Sequence, residues 1–267
     1  MSRISRRTFF MHSAHKTIGV SAGVAALQVV EWRYESATAQ AAPKQRPLEV
    51  CLVSGSLEYK SDESLAVLEE YLEKSYAIRC TRAFRKSDDD LPGLENLEHC
   101  DAMLLFTRRL SPSPQQLERI KRYCRGGRPI VALRTASHAF QNWLELDKEI
   151  LGGDYQGHYG NTNPTQVAVA KGAEKHPVLA GFAPFVSSGS LYKNPKVAAD
   201  TTVLLTGSIP GHSEPVAWTR LNHGGRLVYC SLGHPDDFRQ PAFRRFLVNA
   251  LFWTTRRDGG LAKPASA

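Results

Sequence analysis

The chain has 267 residues, 42% of them hydrophobic and 22% charged, which suits a folded globular protein and excludes a wholly disordered or fibrous one. The net charge is +8, but five basic and two acidic residues fall within the first 41, and the other basic residues are dispersed in short clusters such as Arg108–Arg109, Arg244–Arg245 and Arg256–Arg257. With no long basic run and no RNA-binding aromatic motif, nucleic-acid binding is set aside in favour of a mildly basic, solvated surface.

At the N-terminus, Ser5-Arg6-Arg7-Thr8-Phe9-Phe10 precedes a weakly apolar stretch, Thr17 to Val30, and then Ala39-Gln40-Ala41. That order of charged, apolar and small residues predicts a twin-arginine export signal ending in an A-x-A cleavage site. A basic disordered tail is the alternative. The apolar stretch is too short and too interrupted to span a membrane. The expected organisation is a signal peptide over 1–41, a linker over 42–47, one domain over 48–256 and a disordered tail over 257–267. The mature protein would then be periplasmic or secreted, with no stable membrane insertion.

The elements follow in chain order. Leu48 to Ser54 is a short apolar run and predicts a buried strand. Asp62 to Lys74 carries Leu65, Leu68, Tyr71 and Leu72 at helical spacing. Ile78 to Phe84 and Asp101 to Phe106 predict the next two strands. Ser113-Pro114, a cap residue before proline, opens a helix that runs to about Cys124. Arg128 to Leu133 predicts a fourth strand, and Ser137 to Leu151 a helix stopped by Gly152-Gly153. Thr165 to Ala170, Thr202 to Leu205, Pro215 to Trp218 and Arg226 to Ser231 are strand candidates, and Pro241 to Trp253 is a closing helix. The alternation predicts an α/β fold: a mainly parallel sheet covered by helices on both faces. The strands starting at Leu48, Asp101 and Arg128 should lie side by side at its centre.

The five cysteines, Cys51, Cys80, Cys100, Cys124 and Cys230, match no CxxC spacing and read by default as buried small hydrophobes. Their odd number leaves at least one thiol unpaired in a monomer, and one disulfide stays open as an alternative.

Several segments, taken in order, resemble the trehalose-utilisation (ThuA) family. They are Gly127 to Leu133, Leu151-Gly152-Gly153-Asp154-Tyr155-Gln156-Gly157-His158, His176-Pro177-Val178-Leu179, Pro215-Val216-Ala217-Trp218 and Gly225 to His234. The resemblance implies a flavodoxin-like sheet of the class I glutamine amidotransferase-like superfamily and a role in sugar metabolism. Two departures stand out. The family's Gly-Leu-His after the fourth strand is here Ala132-Leu133-Arg134. Its acidic Asp-Glu-x-Tyr segment is here Ser188-Gly189-Ser190-Leu191-Tyr192, without the carboxylates. A mechanism built on those groups would not carry over.

Ligands of open α/β sheets sit beyond the carboxyl ends of the strands. Arg134 occupies such an end and is a candidate substrate-binding residue, because its planar fork matches a carboxylate or sugar oxygens. His138, His158 and His234 are the candidate catalytic residues, each near a strand end or in a Gly- and Tyr-rich loop. Tyr155 and Tyr159 are candidate sugar-stacking residues, and Asp236 or Asp237 a partner for His234. The plainer readings are a helix cap at Ser137, a surface loop over 152–160, and an aspartate cap on the final helix. His176 reads as structural, and Glu214 either faces the cleft or caps a strand.

None of the cysteines falls on the turn after the fourth strand, so a glutaminase is not expected. Ala136-Ser137-His138 lacks the glycines of a serine-hydrolase elbow. Ser137 and His138 should point apart as neighbours on a helix. No cofactor is expected; zinc on the three histidines is the alternative, without HxH or HExxH spacing to support it. The leading expectation is a protein acting on a small-molecule carbohydrate or keto-sugar by histidine general acid–base chemistry. A non-catalytic sugar-binding module comes second and a metal-dependent hydrolase third.

Overall fold

The computed structural model describes residues 46–160 and 162–257. The expected signal peptide, most of the linker and all but the first residue of the expected tail lie outside those residues. Among the described residues are nine strands, β1 (Leu48–Gly55), β2 (Ile78–Phe84), β3 (Ala102–Thr107), β4 (Ile130–Leu133), β5 (Thr165–Val169), β6 (Phe185–Ser187), β7 (Thr202–Ile209), β8 (His212–Asn222) and β9 (Gly225–Cys230). The α-helices are α1 (Ser61–Ser75), α2 (Pro114–Arg125) and α3 (Pro241–Thr254).

The strands form one sheet in the order β2-β1-β3-β4-β9-β8-β7-β5-β6. From β2 to β9 every pairing is parallel. Alternate residues of the central strands point to opposite faces, and each face has its own core. Leu52, Leu104, Phe106, Val131 and Leu133 pack with α1 and α3, whereas Val53, Met103, Leu105, Ile130 and Ala132 pack with α2. This is why those strands read as unbroken apolar runs: both faces are covered. β1, β3 and β4 are adjacent, as their sequences predicted.

The sheet as a whole is mixed, which corrects the expectation of a mainly parallel one. From β9 to β6 every pairing is antiparallel. Tight turns account for two of these four pairings. His223 and Gly224 join β8 to β9 with φ of 47° and 82°, the double positive φ of a type I′ hairpin. Pro210-Gly211 joins β7 to β8, with Gly211 at φ 80°.

A second correction concerns residues 137–151. The expected helix is instead a 3-10 turn, Arg134–His138, and a separate π turn, Asp147–Leu151. Side chains here compete for the backbone: the Tyr229 and Ser137 hydroxyls donate to the Arg134 carbonyl, and the Asp147 carboxylate accepts from the Tyr155 N–H. Gly152 ends the π turn in the left-handed region at φ 72°, so the stop signal falls where the sequence placed it.

Asp147 is buried, and burial pushes its carboxyl up to about 6. A carboxyl raised above its unfolded value holds a proton in the folded state that the unfolded state has lost, so it destabilises the fold progressively as pH rises from about 4 to about 6. Two pH units correspond to an upper bound of about 3 kcal/mol. Asp147→Asn should therefore raise stability by about 1–2 kcal/mol at pH 7.5, with the gain vanishing near pH 4. Thermal melts of both proteins across that range check this; a pH-independent difference would show that the carboxyl is not strained by burial.

Candidate functional site

The carboxyl ends of β1, β4 and β9 bring three segments to one edge of the sheet. After β1 comes the 3-10 turn Leu57–Tyr59, after β4 comes Arg134, and after β9 come Gly233 and His234. The loop after β6 adds Ser188, Gly189 and Ser190. Together they enclose a cleft of about 540 Å³ whose lining includes Tyr59, Arg134, Ser190 and His234.

Arg134 forms the floor. Its backbone is left-handed, with φ 42°, an uncommon state for a side-chain-bearing residue that clusters at functional sites. The Tyr229 hydroxyl pins its carbonyl at 2.7 Å. The side chain is 0% exposed. Nη1 donates to the Ser231 carbonyl at 2.8 Å, and Nη2 donates to the Tyr59 hydroxyl at 2.9 Å and the Ser190 hydroxyl at 3.1 Å. The guanidinium also lies 4.2 Å from the Tyr59 ring centre and 4.6 Å from that of Tyr192. Burial opposes its charge, but the fields of Tyr192, Tyr59 and Asp237 hold it above the ordinary arginine value. Gly189 is required beside it: a Cβ there would stand 2.8 Å from Nη1. With its fork bonded to protein acceptors, Arg134 works through Tyr59 and Ser190.

Asp237 anchors the opposite wall. One carboxylate oxygen accepts from the Gly233 N–H at 3.0 Å, the His234 N–H at 2.9 Å and the Ser187 hydroxyl at 2.8 Å. Burial pushes this carboxyl up against those donors. Asp237 thus fixes the backbone of His234, while Asp236 approaches its ring, Oδ2 lying 3.3 Å from Nδ1. The Asp236 N–H also points at Nδ1, at 3.3 Å.

The other candidates lie elsewhere. His138 stacks on Tyr155 at 4.5 Å between ring centres, and Tyr155 in turn packs on Tyr192 at 4.6 Å. Burial, followed by the fields of Arg108, Arg109 and Arg134, holds His138 down at about 3, so it is neutral at physiological pH. The Ser137 hydroxyl meets His138 Nδ1 at 3.0 Å, against the expectation that they point apart; the 3-10 turn lets adjacent side chains converge. His158 is exposed, outside the cleft lining, and accepts from the Gly160 N–H at 3.0 Å. Tyr159 stacks on His212 at 4.0 Å and donates to Glu214 at 2.7 Å. Glu214 also accepts from the Asn194 N–H at 3.0 Å, so it ties two loops together. His176 accepts from the Val178 N–H at 3.2 Å, the local turn its sequence predicted.

All five cysteines are free; burial pushes the Cys51, Cys124 and Cys230 thiols up to about 12. Among the described residues no group of three or more His, Cys, Asp or Glu side chains is placed to hold a metal ion. Sequence reading missed Tyr59 and Ser190 as members of the cleft; it named Asp237 beside Asp236 as a partner for His234, and Asp237 is the one that binds the His234 backbone.

A family model described as trehalose utilisation, ThuA, matches residues 49–254. No curated protein matches. Among solved structures, a ThuA-like protein from Bacteroides uniformis is 18% identical, with 82% of this chain and 96% of that one covered at a TM-score of 0.62. A ThuA-like protein from Parabacteroides merdae is 16% identical, covering 79% of this chain and 90% of that one at 0.65. A β-galactosidase from Rahnella is 14% identical, with 79% of this chain but 32% of that one covered at 0.50. At these identities the structural likeness is one of fold.

Proposed function

This chain belongs to the trehalose-utilisation (ThuA) family, and on that premise we propose that it acts on a carbohydrate or keto-sugar bound in the Tyr59–His234 cleft. The observation that carries the reading is Arg134, a fully buried cation held against Tyr59 directly beneath an open cleft. A phenol hydroxyl whose oxygen accepts from a guanidinium is a stronger donor toward a substrate carbonyl, because adjacent hydrogen bonds polarise one another. The proposed chemistry is proton transfer next to that carbonyl. Tyr59 supports the developing oxyanion, and His234, whose Nδ1 lies 3.3 Å from the Asp236 carboxylate, takes the proton.

His138, neutral and stacked on Tyr155, takes no part in proton transfer in this reading. The parallel order β2-β1-β3-β4 supports a flavodoxin-like core, in which ligands gather at the strand carboxyl ends. The test is proton NMR of a panel of keto-sugars incubated with the protein in D₂O. Loss of the signal from the carbon beside the carbonyl supports the reading. Binding without exchange favours a sugar-binding module instead.

Export through the twin-arginine route is part of the same proposal, supported by Ser5-Arg6-Arg7-Thr8-Phe9 before an apolar stretch. Changing Arg6 and Arg7 to lysine should retain the protein in the cytoplasm. Cell fractionation that finds the double variant exported as before would refute this route.

A further inference from the structure

A second, smaller cavity of about 190 Å³ adjoins the first at the carboxyl ends of β1, β2 and β3, and Glu58 borders both. Three guanidinium groups line it: Arg85 from the end of β2, and Arg108 and Arg109 from the end of β3. Its acidic side chains are Glu58 and Asp88. Arg108 Nε holds Glu58 at 2.7 Å, and Arg85 Nη2 holds Asp88 at 2.9 Å. Arg109 is exposed, and its side chain makes no hydrogen bond or ion pair among the described residues. Three cations against two carboxylates leave one positive charge unmatched, and it belongs to Arg109.

The backbone of Arg109 is fixed for this position. It is left-handed at φ 49°, and its N–H donates to the His138 carbonyl at 2.9 Å. Arg109 is therefore carried by a constrained turn bonded to the segment that follows β4. The two carboxylates hold Arg85 and Arg108 in place, which reduces the ordering cost when an anion binds. A guanidinium fork matches the paired oxygens of a carboxylate, sulfate or phosphate group.

We propose that this arginine pocket receives the anionic group of an acidic carbohydrate whose ring occupies the Tyr59–His234 cleft. The proposal rests on the carbohydrate reading of that cleft and narrows its substrate class. A neutral sugar would leave the Arg109 charge without a partner; an acidic one satisfies it while the ring stays on the Tyr59 side of Glu58.

The test is calorimetric titration of the full chain with glucose and trehalose as neutral probes, and with glucuronate, glucose 6-sulfate and glucose 6-phosphate as anionic ones. At least one anionic sugar should bind about tenfold more tightly than glucose, the scale of one charged hydrogen-bonded contact. Whether the carboxylate, sulfate or phosphate gains most identifies the group. Arg109→Met, which keeps a side chain of similar length on the same backbone, should erase the preference and leave glucose affinity unchanged. Equal binding of neutral and anionic sugars overturns the proposal, as does a preference that survives Arg109→Met. If inorganic sulfate binds through Arg109 while no sugar binds, the carbohydrate reading itself has failed and the acidic-sugar proposal falls with it. That outcome is distinct from neutral and acidic sugars binding alike.

Discussion

Arg134→Met is expected to lower unfolding stability by about 3–5 kcal/mol, the range for breaking a buried charged network by removing one partner. Replacing a buried ion with an apolar residue of similar volume can be harmless when every partner is replaced too. Here only one member would change. The Ser231 carbonyl, the Tyr59 hydroxyl and the Ser190 hydroxyl would each lose a donor, and Asp237 would lose the nearby positive field that offsets its burial. Each unsatisfied buried group contributes about 1–3 kcal/mol. The lost stacking on Tyr59 and Tyr192 adds to this. Arg134→Lys should fall between the two proteins, because it keeps the charge but cannot reach acceptors on both sides with one ammonium. Urea denaturation of the three proteins measures the order. A methionine variant within about 1 kcal/mol of the parent would mean that the network is not coupled as its geometry indicates.

The parallel half of the sheet was legible because its physics is local. Leu48 to Ser54, Asp101 to Phe106 and Arg128 to Leu133 are apolar throughout, and only strands covered on both faces can be. The antiparallel half was also written in the chain, at Pro210-Gly211 and His223-Gly224, but as turn chemistry rather than as apolar runs. Periodicity alone does not give strand direction; turn length does. The stretch 137–151 misled because its apolar spacing is helical while its Ser, Asn and Asp side chains bind the backbone instead.

The site was half legible for a related reason. The rule that ligands sit at strand carboxyl ends found Arg134 and His234, which follow their strands directly. It could not find Tyr59 and Ser190, which meet Arg134 only through tertiary packing of separate segments. One signal was available. Arg134 and Gly189-Ser190 are the two places where the sequence reads as departing from the pattern it resembles. The two positions meet in the structure: a guanidinium at 134 occupies the space that Gly189 leaves, and it donates to the Ser190 hydroxyl.

His234→Gln should reduce proton exchange at the carbon beside the substrate carbonyl by a factor of about 10² to 10⁴, the usual contribution of a general acid–base group. Stability should change by only about 0.5 kcal/mol, because the ring is about a third exposed and the backbone stays tied to Asp237. Glutamine preserves a polar side chain of similar reach but cannot relay a proton. The partner changes separate chemistry from shape. Asp236→Asn removes the carboxylate near Nδ1 and should lower exchange less than His234→Gln does, with substrate affinity nearly unchanged. Asp237→Asn disturbs the buried anchor of the Gly233 and His234 N–H groups, so it should reduce stability and exchange together. Exchange rates by NMR and melting temperatures on the same samples give both readouts. If His234→Gln exchanges protons at the parent rate, His234 is not the base, and the catalytic reading of the cleft gives way to binding alone.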